Sequence, residues 1–172
     1  IGDGRWKPNI VAPGSRIESA VANNNTGYAH YPGTSMAAPH VAAAAATLVD
    51  HYSSVRYDPA LTSARLMATA MTKDDQVLTS PGSTHLNTYG AGRVSSYKAH
   101  WNFSGAAYIG NWSFDQNNTV WNYSDFTVPV GTQRLVAVMH YVEDACSSGA
   151  SQALVHDYDL WLDRDPVDTA NG

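Results

Sequence analysis

Strands mixed with two helices over residues 1–100, then an antiparallel β-sandwich over residues 101–172, is the fold class the sequence predicts. Three observations predict it. A serine leads an alanine-rich run at helical spacing, Asp58-Pro59 opens a second helical run, and the composition shifts near Trp101 to aromatic and β-branched residues with closely spaced turn signals.

The elements follow in order. Residues 11–21 read as a strand and a turn, with Pro13-Gly14 as punctuation, and 23–27 (Asn-Asn-Asn-Thr-Gly) as a polar loop. Residues 28–31 read as a short strand. Residues 35–52 place Val41, Ala45, Leu48 and Tyr52 on one face of a helix. Pro39 falls in its first turns, where a missing N–H costs little. Asp58 is an N-cap with Pro59 at the first helical position, and Ala60, Ala64, Met67, Ala68 and Met71 give residues 58–71 an apolar face. A Gly/Ser/Thr-rich loop over 79–88 leads to a closing segment at 90–99. Beyond Trp101, residues 123–130, 134–141 and 156–163 are strand candidates.

Composition narrows the function. A hydrophobic content of 44% is that of a globular protein, and a formal charge of −5 argues against a nucleic-acid footprint. No apolar run is long enough to span a bilayer. Cys146 is the single cysteine, so no internal disulfide forms.

The chemistry concentrates in Gly33-Thr34-Ser35-Met36-Ala37-Ala38-Pro39-His40. A Gly-Thr turn exposes the Ser35 hydroxyl at a helix N-terminus, where free amides and the dipole favour developing negative charge. A nucleophilic serine needs that setting, although taken alone a serine there is more often a helix cap.

This octapeptide is similar to the nucleophile segment GTSMAxPH of the subtilisin-like serine proteases (subtilases, peptidase S8 type). Asp3-Gly4-Arg5-Trp6-Lys7-Pro8-Asn9-Ile10-Val11-Ala12-Pro13-Gly14 resembles that family's DGRxKPDIxAPG, and residues 89–99 resemble its GxGxVNAxxA stretch. The resemblance implies an α/β catalytic domain over 1–100, Ser35 as nucleophile and backbone oxyanion donor, and Gly33 and Thr34 at the substrate. It implies a secreted (extracellular) endopeptidase acting on peptides or proteins through an acyl-enzyme. Three positions depart from the pattern: Pro32 before Gly33, Asn9 for an acid, and Ala42 for a glycine.

In this family the triad runs Asp, His, Ser along the chain. Neither an Asp nor a His segment precedes Ser35 here, and His30 and His40 are expected to be structural. The chain is therefore expected to be the C-terminal part of the catalytic domain, inactive alone, with the missing N-terminal half as its partner.

Residues 156–163 resemble the D-x-D-L-x-L strand of jelly-roll-like domains that follow many subtilase catalytic domains, so 101–172 is expected to be a partial β-sandwich. Period two puts Asp157, Asp159, Asp163 and Asp165 on one face, either a Ca²⁺ contact or a solvated acidic face beside Arg164. No cofactor is required for the chemistry. Sequons at Asn24, Asn102, Asn111, Asn117 and Asn122 are glycosylation acceptors in a eukaryotic secretory protein and polar linker composition otherwise. The alternative function is a non-catalytic module derived from a subtilase. It would either bind glycan or protein through Trp112, Trp121 and Trp161, or assemble with a partner along an apolar edge at Ile10 and Val11.

Overall fold

The computed structural model describes residues 7–71, 88–101, 126–132, 135–142 and 145–150, together with Tyr158, Leu160 and Leu162. Two strands, β1 (Ile17–Ala20) and β2 (Tyr28–Tyr31), form an antiparallel hairpin with Ile17 opposite Tyr31 and Ala20 opposite Tyr28. The 23–27 loop joins them. Asn23 takes a positive φ of 60°, and Asn24 Oδ1 accepts from the Thr26 amide at 3.2 Å, the local bond that makes Asn a turn residue.

Helix α1 (Thr34–His51) follows directly. Alanine has the highest helix propensity, and the run from Ala42 to Ala46 carries the helix through its middle. Val41, Ala45 and Tyr52 pack against a core of Ala44, Leu48, Val55, Leu66 and Ala99, so the apolar face read from the sequence is the face that is buried. Pro39 differs from expectation. Because α1 begins at Thr34, Pro39 is its sixth residue, past the four amides that lack partners anyway. It removes the amide that would bond the Ser35 carbonyl.

A 3-10 turn (Ser53–Val55) leads to α2 (Pro59–Ala68). Asp58 caps it, accepting from the Leu61 amide at 2.8 Å. The helix stops at Ala68, short of the expected Met71, because the Met71 backbone pairs with Arg93 in an antiparallel bridge with bonds of 2.8 and 2.9 Å. The buried face of α2 also differs from the alanine and methionine set: Leu66 and Arg65 go inside. Arg65 is tolerated there because Nε donates to the Ala99 carbonyl at 2.8 Å and the guanidinium lies 3.7 Å above the Tyr52 ring. A third helix, α3 (Ser96–Trp101), lies in the closing segment, with Ser95 Oγ accepting from the Lys98 amide at 3.2 Å. The core sits where α1, α2 and α3 meet.

Past Trp101, two of the strand candidates reach described residues in part. Residues 126–130 and 135–141 lie in no strand among the described residues, and 123–125 and 134 lie outside them. Of the third candidate, only Tyr158, Leu160 and Leu162 are described, none in regular structure; the 79–88 loop lies outside the described residues except for Thr88.

Candidate active site

Backbone bonds gather the three sequence motifs into one place. The central segment is 9–14. Its Asn9 carbonyl accepts from Ala91 at 2.9 Å, the Val11 amide donates to Gly92 at 3.0 Å, and the Val11 carbonyl accepts from Val94 at 2.8 Å. Ile10 and Val11 are accordingly half-buried rather than an open apolar edge. At the far end of the same segment the Gly14 carbonyl accepts from the Gly33 amide at 2.7 Å. Approach is so close that a Cβ on Gly14 would meet the Gly33 carbonyl oxygen at 2.8 Å.

Gly33, with φ 146° and ψ 166°, is the N-cap of α1. This region of backbone space is essentially restricted to glycine. The capping role open to Ser35 from sequence is thus taken by its neighbour: Ser35 is the second residue of the helix, exposed, and makes no side-chain cap bond. The Met36 and Ala37 amides already bond the Gly33 carbonyl, at 3.1 and 3.3 Å, while the Thr34 and Ser35 amides precede the first helical bonds. An exposed hydroxyl therefore stands beside two amides at the positive end of an 18-residue helix, where an anionic tetrahedral centre is favoured.

The nearby histidines are placed otherwise. His40 Nδ1 lies 2.8 Å from the Met36 carbonyl of its own helix, a bond in which it donates. His30 lies on β2 opposite Glu18. Among the described residues neither imidazole is hydrogen-bonded to Ser35. Asn9 keeps a polar role despite replacing an acid: Lys7 Nζ donates to its Oδ1 at 2.5 Å, and its Nδ2 faces Met67 Sδ at 3.9 Å. Ala42 is exposed, so its methyl meets no packing here.

Asp157, Asp159 and Asp163 lie outside the described residues, and among the described ones no group of three or more His, Cys, Asp or Glu side chains is placed to hold a metal. Trp112, Trp121 and Trp161 also lie outside them, as do four of the five sequons; Asn24 is in the hairpin loop. Cys146 is exposed.

Sequence reasoning missed His140. It lines a cavity of about 190 Å³ with Asn9, Ile10, Val41, Ser63, Leu66 and Met67, bringing the 135–142 segment against α1 and α2. Burial, and then the Lys7 charge, hold its imidazole below the ordinary range. No local signal marks it, because the contact spans most of the chain. The Gly14–Gly33 bond was missed for a similar reason, although a glycine in each motif was the available clue.

Comparison with known proteins agrees with the geometry. A family model described as the subtilase family, Peptidase_S8, matches residues 2–92. The chain is 38% identical over 78 residues to the subtilisin-like protease SBT2.3 of Arabidopsis thaliana, covering 41% of this chain and 9% of that protein. It is 39% identical over 107 residues to a C5a peptidase of Streptococcus pyogenes, covering 56% of this chain and 9% of the relative. A second C5a peptidase of that species is 40% identical over 106 residues, covering 56% and 8%. The chain thus spans less than a tenth of the length of these relatives. No described helix is long and apolar enough to cross a membrane. With the family model covering more than half of the chain, and the three motifs bonded to one another around an exposed serine, this chain belongs to the subtilase family.

Proposed function

We propose that this chain carries the nucleophile-bearing part of a secreted subtilisin-like serine endopeptidase. The observation that carries the reading is the exposed Ser35 hydroxyl on the first turn of α1, behind a Gly33 turn anchored to Gly14. Ser35 attacks the peptide carbonyl, and its own amide donates to the oxyanion. Gly33 and Thr34 flank the substrate. The proton passes to a histidine outside these 172 residues, held by an aspartate also outside them, so the chain alone is inactive. The scale of that loss is set by subtilisin, in which removing the triad histidine costs roughly 10⁶-fold in kcat.

The same reading makes residues 1–100 catalytic-domain structure and 101–172 the beginning of a β-sandwich (jelly-roll-like) domain, with Asp157, Asp159 and Asp163 as Ca²⁺ contacts. Its partners are a peptide or protein substrate and the half of the catalytic domain that brings Asp and His. One observation favours such assembly: Ala38, Ala42, Ala43 and Ala46 of α1 are exposed, and a helix apolar on all sides is ordinarily enclosed.

A fluorophosphonate serine probe tests the proposal. The purified chain is incubated with it in the presence and absence of an upstream subtilase half, with Ser35→Ala as control. Labelling that requires both Ser35 and the added half is the expected result. A folded chain that remains unlabelled in both mixtures would reduce the protease reading to ancestry and favour a non-catalytic binding or assembly module.

A further inference from the structure

His51, the last residue of α1, and His100 of α3 lie ring against ring, their centroids 4.1 Å apart and their planes at 51°. The backbone beneath them is tied down. Tyr52 Oη donates to the His100 carbonyl, and Arg65 Nε donates to the adjacent Ala99 carbonyl at 2.8 Å. Aromatic rings flank the pair: Tyr52 lies edge-on to His51 at 4.6 Å, and Trp101 edge-on to His100 at 4.8 Å. His51 is exposed and His100 half-buried, so the pair opens to solvent. Among the described residues neither imidazole has a hydrogen-bond partner.

Two accessible imidazoles on anchored backbones are a ligand pair for a borderline divalent cation, for which nitrogen donors are preferred. The end of α1 adds the negative pole of the helix dipole. The Arg65 guanidinium, held over the Tyr52 ring, is a nearby positive charge that opposes a cation here, so the two imidazole bonds must outweigh it. To share an ion, each ring must turn about its side-chain bonds until one in-plane nitrogen lies about 2.1 Å from it. We propose that His51 and His100 form a two-imidazole site for a divalent transition-metal cation, copper(II), nickel(II) or zinc, with water completing the coordination. The ion staples the end of α1 to α3. It lies about 24 Å along the helix axis from Ser35, so it acts on structure and not on hydrolysis.

Titration of the 172-residue chain with copper(II) at neutral pH, followed by tryptophan fluorescence and thermal unfolding, tests the site. Trp101, in contact with His100, reports occupancy by quenching. Saturable quenching at one equivalent with a raised Tm is expected. His51→Ala and His100→Ala should each weaken binding by at least the ~10-fold that even an outer-shell loss costs. His40→Ala and His140→Ala should leave it unchanged. Should His100→Ala fail to fold, the exposed His51 carries the test alone, with far-UV circular dichroism as the folding check. Quenching that never saturates, or an affinity that His51→Ala leaves untouched, overturns the proposal.

Discussion

The Gly14 carbonyl oxygen and the Gly33 amide nitrogen lie 2.7 Å apart, so the glycine ending one motif anchors the glycine opening another. Gly33→Ala forces a side chain into the φ 146° conformation and is expected to cost about 1–3 kcal/mol, read as a lower urea midpoint. Gly14→Ala pushes its methyl against the Gly33 carbonyl and should also destabilise. If both variants unfold like the parent, the turn is not held in the way described.

Asp58 holds the start of α2 through one bond to the Leu61 amide. Asp58→Ala should lower stability by about 1 kcal/mol, whereas Asp58→Asn keeps an acceptor oxygen and should stay within a few tenths. Thermal melts of the two variants side by side make the comparison.

Arg65 joins α2 to α3 by its bond to Ala99 and to α1 by its contact with Tyr52. Lysine has no planar fork with which to do both. Arg65→Lys should therefore cost about 1–3 kcal/mol despite preserving the charge, as measured by chemical denaturation.

His140 gives stability a defined pH dependence. Its folded-state pKa is depressed by burial and by Lys7, so the unfolded chain binds the proton more readily. Stability should fall as pH drops through the ordinary imidazole range near ~6.5 and level off below the folded-state value. His140 Nδ1 is buried without a hydrogen-bond partner among the described residues, so nothing there rewards protonation. Urea midpoints across this range should show a step that His140→Gln reduces.

Local features were legible and distant ones were not. β2 has the bounds 28–31 read from sequence, and α1 is displaced by one residue at each end, because glycine and alanine act on their immediate neighbours. The end of α2 could not be read, since the partner that draws Met71 out of the helix is Arg93. Arg65 was assigned no inward role because a charge is ordinarily left in water; its burial depends on Ala99 and Tyr52, both remote in sequence. For the 126–130 and 135–141 segments no strand partner is among the described residues, and composition alone does not supply one, because β-propensity expresses itself beside a partner. At the site, the exposed Ser35 followed from its own turn, whereas the identity of the N-cap and the anchoring carbonyl required the fold.

Among the described residues, Asn9 and Val11 find their backbone partners at Ala91, Gly92 and Val94, so a ribosome adds ~80 residues before that pairing can close. At about 5–20 residues per second this takes roughly 4 to 16 s. The β1–β2 hairpin, the Gly14–Gly33 bond and α1 depend on nearer neighbours and can form within that interval. Synthesis thus lets the serine turn form before its support arrives, and a nascent chain held at this stage leaves the backbone groups of residues 9–11 that later bond 91–94 without those partners.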